Sequence, residues 1–132
     1  MRVLSGLALA GCMLTVAYLA FAPLEQPPGF SWDKANHVLA FVVMALFADG
    51  AYPGRRRELP RWGLLIGYGL AIELIQSGLP YRYFSWLDLA ADAAGILLYV
   101  VARHVLLRRS QGPRAARRAS PRVLSRRRRE TG

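Results

Sequence analysis

Twenty consecutive residues without a charge, Val3 to Ala22 (VLSGLALAGCMLTVAYLAFA), constrain this chain more than any other feature. A helix of that length extends about 30 Å, the thickness of the hydrocarbon of a bilayer. Three further stretches are comparable once isolated polar residues are allowed. Asp33 to Tyr52 has a purely apolar core from Val38 to Ala48, Trp62 to Leu79 is interrupted by Glu73, Gln76 and Ser77, and Trp86 to Leu107 by Asp88, Asp92, Arg103 and His104. The expectation is an all-α fold, an integral membrane bundle of four transmembrane helices at about 3–22, 33–52, 62–79 and 86–107, with residues 1–107 as one domain.

Charge supports that reading because it is segregated along the chain. The sequence holds 18 basic residues against 8 acids, yet 54% of it is hydrophobic, a combination unusual for a small soluble domain. Arg2, then Arg55, Arg56, Arg57 and Arg61, then the Arg-rich stretch after Leu107 alternate with two loops, Pro23 to Trp32 and Pro80 to Ser85, whose only basic residue is Arg82. Four spans put the basic segments on one side. The positive-inside rule makes that side cytoplasmic, so both termini are expected inside the cytoplasmic membrane, which the chain crosses several times. Tyr18, Phe21, Phe30, Trp32, Tyr81, Tyr83, Phe84 and Trp86 then fall at the outer interface, with Tyr52 and Trp62 at the inner one.

Residues 108–132 carry dense positive charge with no apolar periodicity, and Gly112, Pro113 and Pro121 oppose a helix. A disordered cytoplasmic tail is expected there, lying near anionic lipid. With no aromatic interleaving and no recognisable motif, nucleic acid is not an expected partner. Near the N-terminus, Ala20-Phe21-Ala22 resembles a signal-peptide cleavage site and Leu9-Ala10-Gly11-Cys12 a lipobox. The length of the apolar run favours a retained membrane helix over both. A single cysteine leaves no disulfide within the chain and no Cys-based zinc site.

The polar residues inside the apolar stretches share one depth. Asp33 and His37 are spaced i and i+4 at the outer start of the second helix, Glu73 and Gln76 i and i+3 at the outer end of the third, and Asp88 and Asp92 i and i+4 at the outer start of the fourth. Charges at that level are costly unless they face a partner or a wet cavity, so the three faces should meet within the bundle. Gly63-x-x-x-Gly67 and the small stripe Ala91, Ala94, Gly95 are candidates for close helix approach. The inner part of the third helix and Ala93 to Ala102 lack ionisable groups, which favours a pocket open to the outside over a polar path across the monomer. Asp49, Arg103 and His104 read as interface or pairing residues.

Plainer roles exist for several of these positions. Ser85-Trp86-Leu87-Asp88 matches a capping box, and Ser31 and Asp33 suit the first turn of their helix. Glu73 has no such role in the sequence: its carboxylate is expected to pair with Arg82, Lys34 or His37 or to hold a proton, with Gln76 orienting it. The ligand-binding candidates are Asp33, Lys34, His37, Glu73, Gln76, Arg82, Asp88 and Asp92, with His37 and Glu73 the candidates for any acid/base chemistry. No cofactor is expected and no metal motif is present, although one His among carboxylates could hold a divalent ion.

The series Asp33-Lys34-x-x-His37-x-x-Ala40-Phe41, Glu73-x-x-Gln76 and Arg82-x-x-Ser85-x-x-Asp88-x-x-x-Asp92-x-x-Gly95 resembles the VanZ-like membrane proteins over about Ser31 to Tyr99. That family favours Asn where this chain has Asp92. The resemblance implies a four-helix bacterial membrane protein of the cell envelope, linked to teicoplanin resistance, with no settled reaction. Three classes of function follow: a protein binding an amphipathic, lipid-linked or lipoglycopeptide molecule in an outward-facing polar pocket, a membrane enzyme working on such a lipid by acid/base chemistry, or a small transporter acting as a dimer. The sequence leaves the oligomeric state open.

Overall fold

The computed structural model describes residues 1–23 and 33–119, without the side chains of Asp33 and of residues 110–119. Four α-helices occur among them: α1 Arg2–Phe21, α2 Asp33–Ala51, α3 Glu58–Gln76 and α4 Trp86–Ala119, with a 3₁₀ turn at Arg55–Arg57 leading into α3. The all-helical expectation is met. Helix α3 starts at Glu58 instead of Trp62, since Pro60 falls in its first turn, where a missing N–H costs nothing. It ends at Gln76, just ahead of Gly78 and Pro80. Gly54, at φ 116°, makes the backbone reversal between α2 and α3 that a side chain would resist.

Residues 1–99 form one compact unit, and the chain from Val100 on clusters separately. In that second unit the helix continues to Ala119 instead of stopping at Leu107, which corrects the expectation of disorder for residues 108–119. Alanine and arginine are strong helix formers, and the run Arg114 to Ala119 contains little else. The rest of the expected tail lies outside the described residues.

Cross-helix contacts set the directions of the helices in the first unit. Gly50 of α2 lies beside Ser5 of α1, and Arg61 of α3 bonds Asp49 and Tyr52 at the end of α2, so α2 runs opposite to both. Lys34, His37 and Asp49 of α2 meet Asp88, Asp92 and Tyr99 of α4 in the same order, so those two run parallel. The result is an up-down-up-down arrangement.

Helix α2 is central. Phe41, Met44, Ala45 and Ala48 are all buried, at the i, i+3, i+4, i+7 spacing of one stripe, while α3 contributes Leu65 and Ile72 and α4 contributes Ala91 and Ile96. Helix α1 buries no residue fully. It is attached by three side-chain hydrogen bonds to its backbone: Tyr68 donates to the Met13 carbonyl at 2.5 Å, Gln76 to Ala20 at 3.0 Å and Tyr81 to Phe21 at 2.9 Å.

The unit is inverted relative to a water-soluble domain. Arg61, Glu73, Gln76 and Asp92 are buried, whereas Leu4, Leu7, Leu14, Leu39, Leu46, Leu64, Leu74, Leu97 and Leu98 are exposed. Arg2–Phe21, Lys34–Ala51 and Trp86–Arg109 are each long and apolar enough to cross a membrane. Helix α3 is not among them, because Glu58, Arg61, Glu73 and Gln76 lower its hydropathy.

Close helix approach uses other glycines than Gly63 and Gly67, and this corrects the expectation from their spacing. A side chain at either would meet nothing within 4 Å. At Gly95 a Cβ would stand 2.5 Å from the Val38 carbonyl and 2.9 Å from the Phe41 Cβ, so α2 and α4 touch there through backbone. Ala91 and Gly95 face the core while Ala94 is exposed. Gly95→Val should therefore destabilise the protein by about 1–3 kcal/mol, the range for overpacking, and Gly63→Val by close to zero. Thermal unfolding of the detergent-solubilised protein checks this; equal midpoints for the two variants would contradict the assigned contact.

Candidate functional site

The site grows from the start of α4. Ser85 stands just before that helix, and its Oγ accepts the Asp88 N–H at 3.2 Å, the first half of a capping box. In a complete box the acid at Asp88 would reach back to the Ser85 N–H. Here Glu73 does so instead: its Oε2 accepts that N–H at 2.8 Å from across the helix boundary. Glu73 does have a capping role, contrary to the expectation, and it serves a helix other than its own. Asp88 is thereby released to pair with Lys34, whose Nζ donates to Oδ1 at 2.9 Å.

One turn deeper, His37 Nδ1 and Asp92 Oδ1 are 2.8 Å apart. Asp92 is 1% exposed, and its second oxygen packs against Gly69, where any Cβ would collide with it. The absence of a side chain at Gly69 is what admits an acid to this position. Asp92 is thus paired with His37.

The convergence of α2, α3 and α4 is thus observed for Lys34, His37, Glu73, Asp88 and Asp92. Gln76 is buried at the same end but binds the α1 backbone and does not orient Glu73, which corrects that expectation. Arg82 forms no ion pair with Glu73 or any other acid among the described residues. The Asp33 side chain lies outside the described residues. A cavity of about 110 Å³ opens here, with Val16 and Leu19 of α1, Phe41 and Ile72 as apolar wall and Asn36, His37, Gln76, Arg82 and Asp92 as polar wall. His37, Glu73 and Asp88 each place one ligand atom within 4.8 Å of the others, an arrangement able to hold a metal ion.

A second polar cluster occupies the opposite end. Arg61 Nη1 reaches Asp49 Oδ1 and the Tyr52 carbonyl, each at 2.7 Å, and Tyr99 donates to Asp49 Oδ2 at 2.8 Å. The guanidinium is buried, 4.3 Å from the Trp62 ring centre, and its Nε and Nη2 have no hydrogen-bond partner. Asp49 is the pairing residue expected, whereas Arg61, read from the sequence as a loop charge, is a core residue. Asp49 is about 18 Å along α2 from His37 at 1.5 Å per residue. The residues of α2 between them include the buried Phe41, Met44, Ala45 and Ala48.

Sequence reasoning left Arg61 and Gly69 out of the site and its supports, and nothing near either in the sequence signals its role, whereas Ser85 was legible as the first member of a capping box. No family model, curated protein or solved structure matches the chain.

Two stability outcomes follow. Glu73→Gln keeps an oxygen for the Ser85 N–H and should fold normally, whereas Glu73→Leu strands that donor and should cost about 1–3 kcal/mol; similar midpoints for both would remove the cross-helix cap. Asp49→Ala leaves Arg61 buried and uncompensated, at a cost of about 3–5 kcal/mol, while the double change Asp49→Leu with Arg61→Met should recover most of it. A double variant no better than Asp49→Ala would show that the pair is not the reason for the loss.

Proposed function

We propose that this chain is a VanZ-like integral membrane protein of four spans that binds the anionic head of an amphipathic cell-envelope molecule at its outer, polar end. Arg82 carries the proposal. Its guanidinium lines the cavity and is without an ion pair among the described residues, while Lys34 has Asp88 and Arg61 has Asp49. A bidentate cation beside His37, Asn36 and Gln76 suits a phosphate or carboxylate carrying further hydrogen-bonding groups. The apolar wall formed with Val16 and Leu19 leads toward α1 and suits the start of a lipid tail.

Membrane insertion is supported by the apolar exterior, which includes Leu64, Leu74 and Ile75 of α3. In a bilayer α3 would therefore be a span as well, its polar residues turned inward. Arg2 and Arg55 to Arg57 share the end of the bundle opposite Arg82 in the up-down-up-down arrangement, which favours that end as the cytoplasmic one of a bacterial membrane. Arg61 is not among these loop charges, because it lies within α3 and is buried. The arginine-dense stretch after Leu107 suits anionic lipid as a partner. The apolar stripe of α2 between the two polar clusters counts against transport through one copy.

A second reading has its own observation, the contact between His37 and Asp92. An imidazole oriented by a carboxylate is the arrangement of a general base, so an enzyme acting on a lipid-linked substrate is the alternative. Sustained turnover of a labelled lipid would favour it, and stoichiometric retention the binding reading.

The test is the teicoplanin susceptibility of a sensitive host expressing the protein at matched membrane abundance. Wild type should protect, and Arg82→Gln should lose protection, since a charge-assisted contact of about 1.5–3 kcal/mol corresponds to roughly 10- to 100-fold in affinity. Glu73→Gln should weaken protection if the carboxylate belongs to the working site. Protection unchanged by either substitution would reduce the cluster to helix packing.

A further inference from the structure

We infer that His37, Glu73 and Asp88 bind one divalent metal ion of the zinc or manganese kind at the junction of α2, α3 and α4. The three ligand atoms, one from each helix, lie within 4.8 Å of one another. Ions of this class take nitrogen and oxygen ligands at about 2.0–2.2 Å, so the three atoms would draw closer together around a bound ion. One imidazole with two carboxylates suits borderline ions better than calcium, which takes oxygen alone.

Glu73 supplies an observation independent of the clustering. It is 1% exposed and its Oε2 is held by the Ser85 N–H, yet its Oε1 is buried without any hydrogen-bond partner. An unpartnered carboxylate oxygen in a dry interior is among the most costly of polar groups, and it lies in the group that could grip a cation. The local charge agrees. Among the described side chains Glu73, Asp88 and Asp92 are three acids against two cations, Lys34 and Arg82, so with His37 neutral one negative charge remains to be balanced.

The surroundings also match what metal ligation requires. His37 Nδ1 is held by Asp92 at 2.8 Å, and a carboxylate behind a ligating histidine fixes Nε2 as the ligand atom. Asp88 gives Oδ1 to Lys34, so the ion takes Oδ2. Arg82 lines the adjoining cavity, and a metal beside it would give that cavity a second positive centre. The inference does not rest on the head-group reading, because the three ligands are defined without any envelope molecule.

The test uses the full-length, tag-free protein in nanodiscs, stripped with EDTA and dialysed. Zn²⁺ titration by calorimetry and Mn²⁺ titration by electron paramagnetic resonance read the stoichiometry. The expected result is one ion per chain, with affinity reduced at least tenfold in Glu73→Gln and in Asp88→Asn and unchanged in Glu58→Gln, a carboxylate removed at the other end. Zinc should also raise the unfolding midpoint of wild type and leave that of Glu73→Gln in place. Absence of saturable binding in a folded wild type would overturn the inference and leave a proton as the balancing charge. Saturable binding that survives both Glu73→Gln and Asp88→Asn would overturn it too, by placing the ion elsewhere.

Discussion

The hydrogen bond from the Ser85 amide to Glu73 is the contact on which the polar end of this molecule depends. The first amides of a helix have no partner within it, and each needs one from elsewhere. Ser85 and Asp88 could have satisfied one another, as they do in a local capping box. By importing an acceptor from α3, the chain fixes the relative height of α3 and α4 and leaves Asp88 for Lys34. That second contact aligns α4 with α2, which places Asp92 beside His37 one turn deeper. Two side-chain pairs thus follow from one substituted acceptor.

The two ends of the bundle solve the same electrostatic problem differently. At the Arg61 end, one cation is enclosed by a carboxylate, a carbonyl and an indole face, and the cluster is adjacent to no described cavity. It has the character of a fixed fastener between α2 and α3. At the His37 end, three acids among the described side chains face two permanent cations and a histidine, one carboxylate oxygen is unpartnered and a cavity adjoins the group. Low dielectric makes such an imbalance expensive, and a site that is unbalanced alone is one that binding can balance.

How much of this was legible in the sequence depended on whether a signal was local. Helix positions followed from apolar runs and from punctuation by Gly and Pro, and the shared depth of Glu73, Asp88, Asp92 and His37 followed from counting along helices of known direction. Pairing was not legible, since it depends on rotation about each helix axis and on which partner arrives first. Glu73 was expected to seek a side-chain cation and found a backbone amide. Arg61 looked like one of a run of loop arginines because nothing near it in sequence discloses that Asp49 reaches it. The glycines show the same limit: Gly63 and Gly67 have the familiar spacing, but Gly69 and Gly95 sit where atoms of α2 and α4 approach. A spacing motif reports that close approach is possible on a face, and only packing decides which face is used.

Helix α1 packs along α2 with many of its side chains half-buried, and its hydrogen bonds to α3 and beyond are made through its main chain. Tyr68, Gln76 and Tyr81 each donate to one of its carbonyls, and none of its side chains is fully buried. The Ala20 and Phe21 carbonyls belong to the last turn, where no amide of the helix itself is available to them. What those hydrogen bonds recognise in α1 is therefore its backbone and its end. Its sequence is free to drift among apolar residues of suitable size, while the three donors that hold it are not. Variation among descendants of this chain should accordingly be concentrated in the first helix, and constancy in tyrosines and a glutamine that lie in α3 and just beyond it.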